Sequence, residues 1–188
     1  MRVIAGEAKG RNLVVPRSGG TRSATDRIRE TLFAIVEPQL EGARVLDLFA
    51  GAGTLGIEAL SRGAAHATFV ERGAEAVKAL RRNLETTKLA ARSVVVSANV
   101  IAYLDSGPRD QRFDLVFCDP PFADVGIAEA TLGHDGLRSA VARSGLIVAR
   151  AHRRHLPAVP TFLDIARVKE IGEEKLLFLR YIDPTAGG

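Results

Sequence analysis

The chain has 188 residues, of which 46% are hydrophobic and 26% charged, and its formal net charge is +4. This length suits one domain that buries about 70% of the surface of its unfolded chain. No apolar run approaches the ~20 residues that cross a bilayer, and a single cysteine forms no internal disulfide. Membrane-spanning proteins and disulfide-stapled secreted proteins are therefore excluded, and we expect a cytoplasmic protein.

The positive charge is concentrated near the N-terminus. Residues 1–29 contain seven basic and two acidic side chains, whereas the rest of the chain carries a net charge of about −1. Such a concentration is typical of a surface that binds nucleic-acid phosphates, although a solvated basic face has the same composition. The candidate nucleic-acid contacts are Arg2, Lys9, Arg11, Arg17, Arg22, Arg27 and Arg29.

Two short β-branched runs, residues 2–5 and 11–15, flank a glycine-containing segment and predict a β-hairpin. Residues 17–23 are small, basic and predicted to form a mobile loop. Thr25 is a suitable N-cap for a helix that buries apolar residues at helical spacing and stops at Pro38. We divide the chain into a basic extension, residues 1–23, and a larger domain, residues 24–188.

From residue 44 onward, predicted strands and helices alternate. The strands are predicted at 44–49, 66–71, 93–97, 113–118 and 145–150, and the helices at 54–62, 74–87, 99–104 and 125–142. The last apolar segments, 161–171 and 175–182, are joined too closely for a crossover helix and should form an antiparallel hairpin. The pattern predicts an α/β, Rossmann-like, doubly wound sheet of seven strands, followed by a disordered tail at 185–188.

A glycine-rich turn follows the first strand of this sheet. Its three glycines, Gly51, Gly53 and Gly56, match the dinucleotide fingerprint, and Glu71 follows at a distance suitable for binding a ribose. However, Asp47 stands just before the turn, where it would repel a pyrophosphate but bind an ammonium group. S-adenosylmethionine has an ammonium, a ribose and an adenine but no phosphate, so we favour it over a nicotinamide cofactor. A nicotinamide-dependent oxidoreductase remains an alternative.

Four polar residues each follow a predicted strand, namely Asp47, Glu71, Asn99 and Asp119. Ligands of open parallel sheets bind beyond the carboxyl ends of the strands, so these residues should share one crevice. We expect Asp47 to contact the ammonium directly or through water, Glu71 the ribose hydroxyls and Asn99 the adenine amino edge. Each also has a structural interpretation, because Asp47 can hold the turn, Glu71 can pair with Arg72 and Asn99 can cap a helix. The full set of predicted cofactor contacts is Asp47, Phe49, Ala50, Gly51, Gly53, Glu71, Arg72, Asn99, Val100 and Asp119.

The loop Asp119-Pro120-Pro121-Phe122 follows the fourth strand and is similar to the catalytic loop of methyltransferases that modify exocyclic amines. An exocyclic amine is a weak nucleophile because its lone pair is delocalised into the ring. If the Asp119 carboxylate and the Pro120 carbonyl accept its two N–H groups, the lone pair is directed at the methyl donor. Pro121 adds rigidity, and Phe122 is expected to stack on the extruded base. A rigid turn without catalytic function is the alternative.

Cysteine and histidine do not indicate further catalytic chemistry. Cys118 precedes the acid inside the fourth strand, which favours a buried core thiol over a nucleophile. The histidines, including His152 and His155, lack metal-ligand spacing, so no metal site is predicted.

Several blocks of sequence together resemble the RsmD family of bacterial methyltransferases, over nearly the full length of the chain. These blocks are residues 2–6, 9–11, 25–33, 47–51, 56–63 and 119–122. The resemblance implies a class I methyltransferase that modifies the N2 amine of a guanine in 16S ribosomal RNA, in the small subunit or an assembly intermediate, with an N-terminal hairpin that helps to recognise RNA. We expect a monomer. The alternatives are a DNA methyltransferase acting on adenine N6 or cytosine, the cytosine C5 route being less favoured, and a non-catalytic RNA-binding assembly protein.

Overall fold

In the computed structural model, residues 1–16, 25–107, 112–121 and 124–182 are described. Their strands form one seven-stranded sheet in the order β3-β2-β1-β4-β5-β7-β6. The strands are β1 (Arg44–Leu48), β2 (His66–Glu71), β3 (Ser93–Ser97), β4 (Phe113–Cys118), β5 (Val141–His152), β6 (Leu163–Ile171) and β7 (Glu174–Tyr181). Neighbours among β1–β5 are parallel, and β7 pairs antiparallel with both β5 and β6. The predicted α/β Rossmann-like class and the closing hairpin are confirmed.

Helices cover both faces of the sheet. They are α1 (Asp26–Val36), α2 (Thr54–Ser61), α3 (Ala74–Thr87), α4 (Val100–Ser106), α5 (Val125–Leu132) and α6 (Asp135–Ala140). Buried residues of α1–α3 join one hydrophobic cluster, and those of α4–α6 join a second. Two apolar layers therefore enclose the central strands β1, β2, β4 and β5, whose side chains are largely buried, as in other parallel sheets. Within the described ranges, no helix has the length and hydropathy to cross a membrane.

The first helix forms where its sequence signals predict. The Thr25 hydroxyl accepts a hydrogen bond from the Ile28 N–H at 3.4 Å and caps α1. Ile28 and Leu32 on its apolar side are buried, and the helix ends at Val36, before Pro38. The N-cap and the apolar spacing are thus confirmed.

The single helix predicted over 125–142 is wrong. The chain instead forms α5 and α6, separated at Gly133 and His134, and residue 141 already belongs to β5. His134 Nδ1 accepts a hydrogen bond from the Gly136 N–H at 3.0 Å, which caps α6. A register irregularity between β4 and β5 lets β5 start at Val141, earlier than the predicted residue 145.

The N-terminal arm, residues 1–16, is an antiparallel pairing that packs on the domain. The Val3 N–H donates to the Arg11 carbonyl at 3.0 Å, and Arg2 and Asn12 form an isolated bridge. The hairpin prediction is confirmed as a pairing, although these residues form no regular strand. Val3 and Leu13 are buried in the same hydrophobic cluster as α1–α3. The arm is therefore part of the core as well as of the surface.

Some predictions concern parts of the chain outside the described residues. These parts are the loop at 17–23 with Arg17 and Arg22, the aromatic residue Phe122, and the tail at 185–188.

Candidate active site

A cavity of about 270 Å³ lies at the carboxyl edge of the sheet. Four successive neighbours in the sheet, β3, β2, β1 and β4, end at its wall, as expected for a doubly wound fold. Its lining residues are Phe49, Ala50, Gly51, Ala52, Thr54, Val70, Glu71, Arg72, Ala98, Asn99, Val100, Asp119, Pro121, Asp124, Ile127 and Arg150. The structure thus brings together most of the residues that the sequence predicts, and it adds Arg150.

The turn after β1 forms one side of the cavity. Phe49 has a positive φ of 61°, an uncommon conformation for a bulky side chain, and Gly51 has a φ of 56°. The Gly51 N–H donates to Glu71 Oε2 at 2.8 Å, which ties the turn to the end of β2. Phe49, Ala50 and Gly51 line the cavity as predicted, whereas Gly53, the N-cap of α2, does not.

Asp47 lies beneath this turn instead of in the cavity. Its side chain is 1% exposed, and Oδ2 accepts a hydrogen bond from the Gly56 N–H at 2.9 Å. A Cβ at Gly56 would collide with the Phe69 ring, so this glycine permits the helix to approach the sheet. Burial raises the pKa of Asp47 to about 8. The prediction that Asp47 is a cofactor contact is therefore replaced by its other interpretation, an acid that holds the turn.

Glu71 is at the cavity wall, with its carboxylate held from two sides. Oε2 accepts from the Gly51 N–H at 2.8 Å, and Oε1 accepts from the Gly73 N–H at 2.7 Å. Each carboxylate oxygen has a second acceptor site, so a pair of ligand hydroxyls is still accommodated. The charge is thus fixed in position by backbone donors before any ligand binds.

Asn99 caps a helix and also lies at the cavity wall. Its Oδ1 accepts from the Ile101 N–H at 2.8 Å and caps α4, while the residue also lines the cavity. Val100 and Arg72 line the same region, beside the apolar side chain of Val70. This part of the wall combines a polar amide with an apolar surface, which suits a flat heterocycle.

Asp119 forms the opposite wall and pairs with a residue that sequence reasoning missed. Arg150, on β5, donates from Nε to Asp119 Oδ1 at 2.7 Å and from Nη1 to Glu174 Oε2 at 2.9 Å. The Arg150 side chain is only 5% exposed. A buried arginine between two carboxylates is stabilised only if both pairings are kept. Nothing in the local pattern around residue 150 indicates this role, because its partners lie 31 and 24 residues away in the chain.

The charge state of Asp119 results from opposing effects. Burial raises the pKa of Asp119, and the Arg150 guanidinium opposes that rise, while Glu174 reinforces it. Arg150 therefore favours the ionised carboxylate in a site that would otherwise favour the neutral acid. Pro120 is buried, and the Pro121 carbonyl accepts a hydrogen bond from the Asp124 N–H at 2.9 Å.

Cys118 is a core residue, as predicted. It is fully buried at the end of β4, and burial raises the pKa of its thiol to about 12. A thiol with such a pKa is a poor nucleophile at neutral pH.

The predicted RNA contacts of the N-terminal region have different environments. Arg2, Lys9 and Arg27 are exposed, and Arg11 donates to the Thr86 carbonyl at 2.8 Å. Arg29, in contrast, is fully buried. The prediction of an RNA contact at Arg29 is wrong, because its guanidinium pairs inside the protein.

The partners of Arg29 explain its burial. It pairs with Asp26 at 2.8 Å and with Glu58 at 3.4 Å, and it donates to the Arg2 carbonyl at 2.6 Å. Glu58 also accepts from the Ile4 and Ala5 N–H groups. This network joins α1 and α2 to the arm, so Arg29 is a structural residue.

Comparison with known proteins agrees with this geometry. The family described as conserved hypothetical protein 95 matches residues 1–180. The chain is 39% identical to ribosomal RNA small subunit methyltransferase D of Escherichia coli K12, over 92% of this chain and 86% of that protein. It is 36% identical to the putative rRNA methyltransferase YlbH of Bacillus subtilis, over 90% and 92% of the two chains.

A solved structure gives the same result in three dimensions. The putative methyltransferase yhhF from Escherichia coli superposes with a TM-score of 0.83 at 37% identity, covering 97% of this chain and 99% of that one. The extent of these matches shows that the chain belongs to the conserved hypothetical protein 95 family, the RsmD-type methyltransferases that its sequence motifs indicate.

Proposed function

We propose that this protein transfers a methyl group from S-adenosylmethionine to the N2 amine of a guanine in 16S ribosomal RNA. The observation that carries the proposal is the position of Asp119 and Pro121 on the cavity wall opposite Glu71 and Asn99. One wall thus has groups for a nucleoside-like cofactor, and the other has an acceptor for an amine. The names of the relatives in Escherichia coli and Bacillus subtilis support an rRNA substrate.

The residues of the cavity fit S-adenosylmethionine. Glu71 would accept the ribose hydroxyls, Asn99 would contact the adenine edge, and Val100 would pack against the ring. Phe49 and Gly51 would cover the remainder of the cofactor from the turn. When bound, S-adenosylmethionine supplies an electrophilic methyl group.

The chain's own contribution to the reaction is to orient the amine. In the proposed mechanism, the Asp119 carboxylate accepts one N–H of the guanine N2 amine, and the Pro120 carbonyl accepts the other. Both contacts draw the lone pair out of conjugation and direct it into the cavity. Arg150 holds Asp119 by a hydrogen bond to Oδ1. Stacking of the extruded base on Phe122 stays a prediction, because Phe122 is outside the described residues.

The proposed partner is 16S RNA in the small subunit or in an assembly intermediate, bound by a monomer in the cytoplasm. Arg2, Lys9, Arg11 and Arg27 remain candidate RNA contacts, since their side chains lie on exposed residues. Deletion of residues 1–20 is a poor test of this role, because Val3 and Leu13 belong to the core. Substitution of Lys9 or Arg27 by alanine avoids that loss of packing.

The alternatives have less support. The relatives' names favour rRNA over DNA as substrate. The buried Cys118, with its raised pKa, argues against a cysteine-dependent cytosine C5 reaction. A non-catalytic assembly protein would not need an ion-paired carboxylate at a cofactor-sized cavity.

The test is methyl transfer from isotopically labelled S-adenosylmethionine to unmodified small subunits, naked 16S RNA and duplex DNA in parallel. Each product is digested to nucleosides, and the label is located by mass spectrometry. We expect N2-methylguanosine from an RNA substrate and no label with the Asp119→Asn variant. Label in DNA alone would refute the proposal, and binding of NADH without S-adenosylmethionine would favour an oxidoreductase.

A further inference from the structure

Arg11, on the N-terminal arm, lies far from the cavity. Arg11 is bound to the Thr86 carbonyl, near the C-terminal end of α3. That helix begins beside Glu71, because Gly73 caps it and donates to the Glu71 carboxylate. At 1.5 Å per residue, Thr86 is ~18 Å along the helix axis from the cavity end. Arg11 is thus poorly placed to contact the RNA next to a nucleotide in the cavity.

A second basic segment lies beside the catalytic loop. Residues 152–155, His-Arg-Arg-His, begin at the last residue of β5, and the His155 N–H donates to the His152 carbonyl at 2.9 Å. This bond closes a tight turn, with Arg153 and Arg154 at its two central positions. The turn therefore projects two neighbouring arginines from the surface, both of them on exposed residues.

The turn shares a cleft with the catalytic loop. Pro120 and Pro121 form one side of this small cleft, and His152, His155 and Pro157 line the other. The rings of His152 and His155 have their centroids 5.6 Å apart. The turn is therefore next to the loop that begins at Asp119.

The charge of the turn is only partly balanced. Glu173, at the β6–β7 connection, is within 3.5 Å of the Arg153 guanidinium and 3.7 Å of His152 Nε2. Arg153 nevertheless remains 48% exposed, and Arg154 has no ion pair within the described residues. Glu173 is shared by Arg153 and His152, and Glu170 also acts electrostatically on Arg153, so the Arg154 charge is the one left for a phosphate group.

We propose that the turn at residues 152–155 binds backbone phosphates of the RNA strand on either side of the target nucleotide. Arg154 makes the principal contact, and Arg153 exchanges Glu173 for a phosphate. This inference rests on the proposed function, because it assumes an RNA substrate. In this proposal, the RNA contact nearest to the catalytic loop lies at the carboxyl end of β5.

The experiment compares two matched double variants. Arg153→Ala/Arg154→Ala removes the turn arginines, and Arg81→Ala/Arg82→Ala removes an adjacent exposed pair from α3. We expect the turn variant to raise the KM for 16S RNA about tenfold at 0.15 M salt, with kcat and S-adenosylmethionine affinity unchanged. Its plot of log affinity against log salt should be shallower by about 1.4, the value for two lost single-strand phosphate contacts. The α3 variant should match the wild type, and Arg153→Lys/Arg154→Lys should recover most of the loss.

Each other outcome overturns the inference in an identifiable way. Unchanged KM and salt slope in the turn variant, or equal losses in both double variants, would refute a specific contact while the wild type still methylates RNA. A loss confined to methylation of duplex DNA would assign the turn to a different substrate. Absence of RNA binding and methylation in the wild type would remove the proposed function, and this inference with it.

Discussion

The two turns that enclose the cavity are held by different forces. The turn after β1 is fixed by backbone N–H groups that donate to acids, from Gly56 to Asp47 and from Gly51 to Glu71. The turn after β4 is fixed by an ion pair between Asp119 and Arg150, and Arg150 is itself balanced by Glu174. One side of the cavity is thus organised by neutral backbone donors and the other by charged side chains.

This difference matches what each side has to bind. The proposed cofactor side accepts hydroxyls, so a carboxylate that is already held by neutral donors needs no rearrangement. The proposed substrate side uses the Asp119 carboxylate in a buried place, where burial raises its pKa and the Arg150 guanidinium opposes that rise. Substitutions on the two sides should therefore separate binding of the cofactor from turnover, in the following order of effect.

The largest effect is expected for Asp119→Asn. Loss of the anionic acceptor should lower kcat by ~10³-fold, because the amide cannot stabilise the developing positive charge on the amine. S-adenosylmethionine affinity, measured by calorimetry, should change less than about threefold, since the cofactor side keeps its hydrogen bonds. Equal losses of turnover and cofactor affinity would instead make Asp119 a cofactor contact and weaken the contrast between the two turns.

A smaller loss of turnover, ~30-fold at neutral pH, is expected for Arg150→Met. Without the guanidinium the pKa of Asp119 rises further, so the acid limb of the pH–rate profile should move to higher pH. Glu174→Gln is the matched control and should move the same limb to lower pH, because Glu174 raises the pKa of Asp119. If the acid limb of the pH–rate profile lies at the same pH in the wild type and in both variants, Arg150 has only a structural role.

On the cofactor side, Glu71→Gln should weaken S-adenosylmethionine binding ~10-fold. The glutamine places an N–H₂ donor against the N–H donor of Gly51 or Gly73, so one of the two hydrogen bonds is lost. It also lacks the negative charge that strengthens hydrogen bonds from hydroxyls. Measured at saturating cofactor, kcat should stay within about threefold of wild type. A large fall in kcat with unchanged cofactor affinity would reverse the roles proposed for the two walls.

The smallest effect on turnover is expected for Asp47→Asn, whose main effect is on stability. The pKa of Asp47 is about 8 in the folded protein and near 4 when unfolded, so its contribution is complete below pH 4 and is lost as the pH rises through 8. The asparagine keeps an acceptor for the Gly56 N–H but does not titrate. We expect similar unfolding free energies at pH 4 and a variant that is more stable than wild type at pH 9, by urea unfolding. A constant difference across this range would show that Asp47 does not titrate as inferred.

Several features of the cavity were predictable because their signals are local. Strand ends followed by polar residues, the glycine turn and the N-caps Thr25 and Asn99 all depend on residues within a few positions of one another. Glu71 is predictable for the same reason, since it ends a strand and follows the glycine turn at a typical distance. These signals place Glu71, Asn99 and Asp119 on one wall or the other without any knowledge of the packing.

Other features depend on which segments meet. In the sequence, Arg29 cannot be distinguished from the other cations of the basic N-terminal region. Folding places it against Glu58, which is 29 residues away in the chain. The two arginines of the turn at residues 152–155 do not stand out in the sequence, because residues 30–188 have a total charge close to zero. Their proposed role depends on the position of the turn beside Pro120 and Pro121. The break between α5 and α6 falls at Gly133-His134-Asp135-Gly136, a local helix-breaking signal that the single predicted helix ignored, whereas the early start of β5 depends on pairing with β4.

By itself, the sequence determined how strands and helices alternate along the chain, which residues lie at the strand ends, and the family. It could do so because periodicity and turn chemistry act over short distances. Only the tertiary structure decided that Asp47 is buried beneath the turn and that Arg150 pairs with Asp119. The register of the sheet decides which charged residues pair. In the antiparallel pairing of β5 with β7, Arg150 lies opposite Leu176, and Glu174, two residues before Leu176, is therefore close enough to pair with Arg150. Charges acquire their roles from the neighbours that folding provides, and those neighbours are distant in the chain.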